Sequence, residues 1–432
     1  MDQIVITGGA RLAGVIPISG AKNSALKLMA ASLLSSEPLT LTNMPNLADT
    51  RFMAGLLETL GVRIEWVKEA SVASLHAGEI ASTIAPYDLV RKMRASFNVL
   101  GPMLARVGHA TVSLPGGCAI GARPVDLHLK AFAAMGADIH IEKGYVKAAA
   151  LRGLKGADIT FPFVSVGATE HTMLAATLAD GDTILRNAAR EPEIGDLADC
   201  LNAMGADVQG AGTDVITIRG KTSLSGATHA VIADRIEAGT YAIAAAAAGG
   251  KVFLKGARAQ DLGALITALE QAGATVTLKE GGFEVSREPG RPRPVNIVTE
   301  PYPGFPTDLQ AQFMALMTRA DGVSVVKEQI FENRFMHAPE LTRLGCDIVV
   351  RGNEATVTGM ARLLGAPVMA TDLRASVSLV IAGLMAEGDT IVNRVYHLDR
   401  GFERLEPKLA ACGAMVRRER GGAVLPPEED AA

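Results

Sequence analysis

The chain has 432 residues, 48% of them apolar and 20% charged, with a formal net charge of −4. This length allows two or three domains with full cores, and the composition is that of an ordinary folded chain. The acidic balance excludes a nucleic-acid binder that works through a broad basic face.

The start, Met1-Asp2-Gln3-Ile4-Val5, lacks the basic-then-apolar layout of a secretory leader, and the alanine run 242–248 is too short to cross a bilayer. No membrane partner is expected, and the cytoplasm is the expected compartment. From there a phrase recurs: a helix-like run, a glycine, usually a small residue, then a strand-like run. It appears at Leu60-Gly61-Val62, Met135-Gly136-Ala137, Met204-Gly205-Ala206, Ala272-Gly273-Ala274, Leu344-Gly345-Cys346 and Cys412-Gly413-Ala414. The glycines are spaced 75, 69, 68, 72 and 68 residues apart. Each suits the left-handed stop of a helix, with a strand following, as in Asp138-Ile139-His140-Ile141. The phrase Gly181-Asp182-Thr183-Ile184 returns at Gly388-Asp389-Thr390-Ile391, 207 residues on and nearly three periods later. Six units in two sets of three is the simplest reading. The helical runs Asp196–Met204 and Asp261–Ala272 exclude an all-β propeller, and open solenoid units of this length would be unusual. The stretch from Arg417 onward is charged and proline-bearing, and residues 421–432 read as a frayed tail.

Between the first and second of these glycines lies Ser113-Leu-Pro-Gly-Gly-Cys118-Ala-Ile-Gly-Ala-Arg123-Pro124-Val-Asp-Leu-His128. It sets Cys118 in a segment too rich in glycine and proline to be core. Arg123 follows five residues later and favours thiolate if the loop folds back. Pro124 suits the first turn of a helix running from Pro124 to Met135 and ending at Gly136. Cys200, Cys346 and Cys412 sit in apolar helical patterns and read as small core residues. The four cysteines show no metal spacing, and no P-loop, dinucleotide fingerprint or zinc motif is present, so neither metal nor cofactor is expected.

The Cys118 segment closely resembles the active-site loop of the UDP-N-acetylglucosamine enolpyruvyl transferase family. The resemblance runs through Ser19-Gly-Ala-Lys22-Asn23, Arg91-Lys-Met-Arg94-Ala-Ser96, Ser165-Val-Gly-Ala-Thr169 and Ala189-Arg-Glu-Pro-Glu-Ile194. It continues in Phe305-Pro-Thr-Asp308, Phe331-Glu-Asn-Arg334-Phe335, Ala370-Thr-Asp-Leu-Arg374-Ala375 and Asp399-Arg400-Gly401. It implies an α/β (α+β) fold: two similar lobes, each of three βαβαββ repeats around buried helices, an inside-out α/β barrel with the active site between the lobes. The first lobe would span residues 22–232 and carry the Cys118 loop; the second would take 1–21 and 233–420.

The implied reaction moves the enolpyruvyl group of phosphoenolpyruvate to the 3′-hydroxyl of UDP-N-acetylglucosamine with loss of phosphate, the first committed step of peptidoglycan synthesis. Phosphoenolpyruvate carries a phosphate and a carboxylate, so its site needs cations at fixed angles. The resemblance places Lys22, Arg123 and Arg400 around it, with Asn23, Arg334 and Arg374 in the same pocket. Asp308 matches the carboxylate near the 3′-hydroxyl, as base or positioning group; read alone, it is equally a helix N-cap before Leu309–Gln312. Cys118 matches a thiol that protonates C3, forms a covalent pyruvate-type adduct, or assists product release, and that the epoxide fosfomycin should alkylate. Implied contacts to the nucleotide sugar are Asn23, Arg94, Arg123, Pro124, Val125, Asp126, Leu127, Val164, Ser165, Val166, Asp308 and Ile330. The start of the Pro124 helix offers backbone amides to the nucleotide, though plain capping also fits.

The chain departs from the family in three places: Phe163 where relatives commonly carry lysine, Asn98 for a tryptophan, and Lys27 for a proline. Phe163 removes a cation near the diphosphate, and Asn98 and Lys27 are expected to be neutral surface or supporting changes. The alternatives are 5-enolpyruvylshikimate 3-phosphate synthase, whose glycine-rich threonine-arginine motif is absent, and a nucleotide-sugar-binding paralogue without turnover.

Overall fold

The six phrase glycines all have left-handed backbones, with φ of 102° at Gly61, 89° at Gly136, 95° at Gly205, 98° at Gly273, 88° at Gly345 and 91° at Gly413 in a computed structural model describing residues 2–116 and 124–420. Each ends a helix and releases a strand: Ala48–Thr59 leads to Arg63–Val67, and Pro192–Ala203 to Asp207–Gln209. At Gly61 the amide donates to Glu58 O (3.1 Å) and that of Val62 to Leu57 O (3.0 Å), which satisfies carbonyls the helix end leaves open. The same pair of bonds recurs at Gly136, Gly205, Gly273 and Gly413. The recurring phrase is therefore a recurring helix stop.

The chain divides into two compact units, one of Ser19–Arg235 with Glu300–Gly304, the other of Met1–Ile18, Ile236–Thr299 and Phe305–Ala432. Within the described residues each unit holds three four-stranded sheets of one plan. In the Ser19–Arg235 unit one sheet runs in the order Asp158–Thr160, Asp182–Arg186, Val215–Arg219, Asp207–Gln209. The first pair is parallel, joined through the helix Val166–Ala176, and the rest are antiparallel. A parallel pair needs such a crossover, whereas the antiparallel pair closes with a short turn. The unit is thus βαβαββ. In the other unit the strands Pro367–Met369 and Asp389–Asn393 make the matching parallel pair. There Asp2–Thr7 and Met415–Arg420 complete the sheet. The two Gly-Asp-Thr-Ile phrases occupy equivalent strands, and Thr183 and Thr390 are both buried.

Strands alternate buried and exposed residues, as in Asp182–Arg186, so each sheet has one face on its core. Helices inside the core are buried nearly all round, polar side chains included. In the Ser19–Arg235 unit nine of the ten residues of Lys22–Ala31 are buried, as are nine of the eleven of Val166–Ala176. In the second unit all eight of Gln310–Met317 and eight of the nine of Val377–Met385 are buried. One boundary differs from expectation. The helix after the Cys118 segment runs Asp126–Ala134 with Val125 as its N-cap, so Pro124 lies just outside it rather than in its first turn.

Candidate functional site

In the Ser19–Arg235 unit, Lys22 opens a helix and is buried, its Nζ 3.1 Å from Oδ2 of Asp49. Its backbone amide donates to Oδ2 of Asp234 at 3.2 Å. Two residues further in, Ser24 donates to Oδ2 of Asp196, whose Oδ1 lies 2.8 Å from Nε2 of His229. Three carboxylates from three other segments therefore fix the helix start that carries Lys22 and Asn23. Asn23 itself is half-buried beside them.

Arg94 opens a 3₁₀ turn, Arg94–Val99, and its Nη2 donates to Pro124 O at 3.0 Å. It thereby grips the chain where the helix carrying Asp126 and Leu127 begins; Val125 and Leu127 are buried against the core. Cys118 and Arg123 lie outside the described residues. Ser165 is the N-cap of Val166–Ala176, its Oγ accepting from the amide of Ala168 at 3.3 Å, and Val164 precedes it, packed on the core. Beyond that, Arg235 Nε lies 3.0 Å from Oε1 of Glu193, and its guanidinium sits 5.8 Å from the ring centre of Tyr302.

In the second unit Asp308 lies in the turn Thr307–Leu309. The N-cap alternative fails: neither the turn nor the helix Gln310–Met317 has a side-chain cap. Arg334 Nη2 instead donates to Asp308 Oδ1 at 2.7 Å, and Arg374 Nε is 3.9 Å from Oδ2. Both arginines are buried, 4% and 3% exposed, whereas the Asp308 side chain is 25% exposed. The carboxylate is the more exposed partner, set against two guanidinium groups that are nearly buried. Arg374 also donates from Nη1 to Gly401 O at 2.9 Å, next to Arg400. Arg400 is half-buried and ends the turn Val395–Arg400. Non-glycine residues in the left-handed region, Arg394 (φ 58°) and Arg404 (φ 53°), bracket that turn.

Sequence reasoning missed the braces. Buried Glu328 accepts from Thr299 Oγ1 (2.8 Å), Thr307 Oγ1 (2.9 Å) and the amides of Ile330 (2.8 Å) and Phe331 (3.2 Å). It ties the Asp308 turn to the segment bearing Ile330 and Arg334. Asp372 Oδ1 accepts from the amides of Arg374 (2.7 Å) and Ala375 (2.6 Å), closing an aspartate turn that aims Arg374. An aspartate two residues ahead of an arginine is the signal that could have pointed to this turn. Nothing in the sequence singled out Glu328.

Of the two places expected for Lys27 and Asn98, surface or supporting, burial excludes the first: they are 9% and 5% exposed. Lys27 Nζ lies 2.5 Å from Oε2 of fully buried Glu170. Phe163, by contrast, is 60% exposed just before Val164. Cys200, Cys346 and Cys412 are buried, and burial pushes the thiols of Cys200 and Cys346 up to about 12, as inert core groups require.

The family model for EPSP synthase (3-phosphoshikimate 1-carboxyvinyltransferase) matches residues 6–409. A protein of Hyphomonas neptunium named UDP-N-acetylglucosamine 1-carboxyvinyltransferase is 67% identical over 423 residues, covering 98% of this chain and 99% of its own. One of the same name from Caulobacter sp. (strain K31) is 65% identical over 432 residues, the whole of both chains. Among solved structures, the enolpyruvyl transferase NikO from Streptomyces tendae aligns with a TM-score of 0.87 at 24% identity, covering 96% of this chain and 98% of its own. EPSP synthase from Acinetobacter baumannii aligns at 0.76 and 19%, covering 97% and 100%. These two speak to the fold; the sequence relatives go further, and by their identity and coverage the chain belongs to the enolpyruvyl transferase family, in its UDP-N-acetylglucosamine 1-carboxyvinyltransferase group.

Proposed function

We propose that this chain transfers the enolpyruvyl group of phosphoenolpyruvate to the 3′-hydroxyl of UDP-N-acetylglucosamine and releases phosphate. The observation that carries this reading is full-length identity of 60–67% to relatives named for that activity. The reaction adds the sugar oxygen to C2 as C3 takes a proton, giving a tetrahedral intermediate. Loss of a proton from C3 and of phosphate from C2 then restores the double bond, now in an enol ether. The proposed place of the reaction is the start of peptidoglycan synthesis in the cytoplasm. No helix among the described residues is long and apolar enough to cross a membrane.

The chemistry asks for a proton acceptor at the hydroxyl, a proton donor to C3 and charge to offset the leaving phosphate. Asp308 is the acceptor or positioning group: Arg334 engages Oδ1 and holds the carboxylate at one angle. Arg334, Arg374 and Arg400 supply guanidinium forks in the second unit, and Lys22, with Arg123, supplies charge in the first. Asn23, Arg94, Val164–Val166, the Arg123–Leu127 segment, Asp308 and Ile330 are the proposed nucleotide-sugar contacts. Cys118 is the proposed thiol for C3 protonation, adduct formation or product release.

Phosphate release from phosphoenolpyruvate, with and without UDP-N-acetylglucosamine and again after fosfomycin, tests the reading. Release that needs the sugar and stops on alkylation of Cys118 supports both reaction and thiol. Release that survives fosfomycin keeps the reaction and removes Cys118 from it. Release with shikimate 3-phosphate instead of the sugar would favour the synthase whose name the family model bears. Binding of the nucleotide sugar with no release would make the chain a non-catalytic paralogue.

A further inference from the structure

A buried polar chain within the Ser19–Arg235 unit runs from the core toward the first turn of Val166–Ala176. His171, fully buried on that helix, accepts at Nε2 from the amide of Gly101 at 2.8 Å. A side chain at Gly101 would collide with the ring: a Cβ there would lie 2.7 Å from its Cδ2. Nδ1 of His171 lies 2.9 Å from Nδ1 of His128, on the helix that follows the Cys118 segment. Two facing ring nitrogens need one proton between them. Since Nε2 of His171 is an acceptor, a neutral His171 carries its proton on Nδ1 and donates it. His128 Nδ1 then accepts, and a neutral His128 carries its own proton on Nε2. That edge of His128 faces the first turn of Val166–Ala176, with Nε2 3.6 Å from where a Cβ on Gly167 would stand.

We propose that His171 is a positioning residue for the transfer reaction: by donating to His128 it fixes His128 as an Nε2–H donor at the helix start that receives the diphosphate of the nucleotide sugar. This rests on the reading of Val164–Val166 as nucleotide-sugar contacts. A phosphate oxygen at a helix start meets backbone N–H groups, and an imidazole N–H adds a directed donor to that set. A His128 with its proton on Nδ1 would instead present a lone pair to an anion.

The surroundings keep the arrangement neutral. Phe97 and Phe132 pack on His171 in edge-to-face geometry, with ring centres 5.7 and 4.8 Å away. The charged and titratable groups that act on it are His128 and Lys27 of the Lys22–Ala31 helix; Glu170, next to it in sequence, pairs with Lys27 and in turn feels Glu193 and Glu191. Burial first, then His128 and Lys27, hold the His171 imidazole well below its usual range, so it stays neutral where the enzyme works.

Nitrogen-15 imidazole spectra of the wild-type protein, assigned with a His128→Gln variant, should show His128 protonated on Nε2. His171→Leu removes the donor; His171→Asn returns an amide N–H near the place of Nδ1. For His171→Leu the KM for UDP-N-acetylglucosamine should rise about tenfold, the scale of a weakened charge-assisted hydrogen bond, with the KM for phosphoenolpyruvate within about twofold. His171→Asn should recover most of that loss. Protonation of His128 on Nδ1 in the wild type overturns the proposal without any variant having to fold. So does an unchanged sugar KM in His171→Leu, an equal loss for both substrates, or no recovery in His171→Asn. Absence of sugar-dependent phosphate release from the wild type would strike the transferase reading alone, because the spectra test His128 independently.

Discussion

Arg334 places Nη2 2.7 Å from Oδ1 of Asp308, across 26 residues of sequence, and stays 4% exposed while the carboxylate reaches solvent. The guanidinium therefore acts as the wall against which the carboxylate is set. Asp308→Asn removes proton acceptance but keeps a polar group of the same shape, so kcat should fall by about 10²–10⁴ with the nucleotide sugar still bound. Steady-state kinetics with calorimetric binding checks this, and a kcat within threefold of wild type would take Asp308 out of the proton transfer.

Arg400 should tolerate lysine poorly. It ends a turn bracketed by left-handed Arg394 and Arg404, so its backbone has little freedom to redirect a different side chain. A planar fork meets two oxygens of phosphate or carboxylate at once, and an ammonium meets them as a point charge. Arg400→Lys should lower kcat/KM for phosphoenolpyruvate about 100-fold, the scale of two charge-assisted bonds, while leaving the circular dichroism melt unchanged. Near-normal kinetics would remove Arg400 from the site.

The fold was legible where a residue type answers a local backbone demand. The six glycines predicted six helix stops because only a residue without Cβ sits easily at φ near 90°, and all six are found there. The arginines and Asp308 were legible only as members of motifs, and their meeting depends on turns closed by Glu328 and Asp372. The place of Lys27 was open between surface and interior for a related reason. A lysine in an otherwise apolar helix looks like a surface residue until its partner is known, and Glu170 lies 143 positions away with no period to announce it. Asp308 as a cap failed because capping competes with ion pairing for the same oxygens, and the two buried guanidinium groups win.

The Lys27–Glu170 pair should couple strongly. Glu170 is fully buried, and burial raises its carboxyl despite the ammonium 2.5 Å away. Removing one partner leaves the other charge without compensation, at a cost of about 3–5 kcal/mol, whereas replacing both by apolar groups of similar volume is close to neutral. Lys27→Met and Glu170→Leu should each lower the urea midpoint markedly, and the double variant should recover most of it. Additive losses in the double variant would show that the pair is not coupled.

Acid should destabilise the protein through its buried imidazoles. His337 is fully buried and pushed down to about 4 by burial and then by Arg334, against the pull of Asp372. His171 is also lowered. Below pH 6.5 the unfolded chain binds protons at these residues that the folded chain refuses, so stability is full above about pH 6.5 and falls as pH drops toward 4. Urea midpoints measured between pH 7.5 and 5 should decline, with net proton uptake on unfolding. A flat profile would mean that both rings titrate normally in the folded protein.

Phe163 invites a gain of function. It is 60% exposed immediately before Val164 and Ser165, where the resemblance leads one to expect a lysine near the diphosphate. An aromatic ring there contributes no charge to an anion, and its exposure leaves room for a longer side chain without repacking the core. Phe163→Lys should therefore lower the KM for UDP-N-acetylglucosamine by about threefold to tenfold at low salt, the range of a partly solvated ion pair. Because the new contact is exposed, most of the gain should vanish at about 0.5 M salt, where the screening length falls to a few ångströms. The KM for phosphoenolpyruvate should stay unchanged. A gain that persists in salt would point to repacking around residue 163 rather than to charge, and no gain at any salt would place the diphosphate away from this segment.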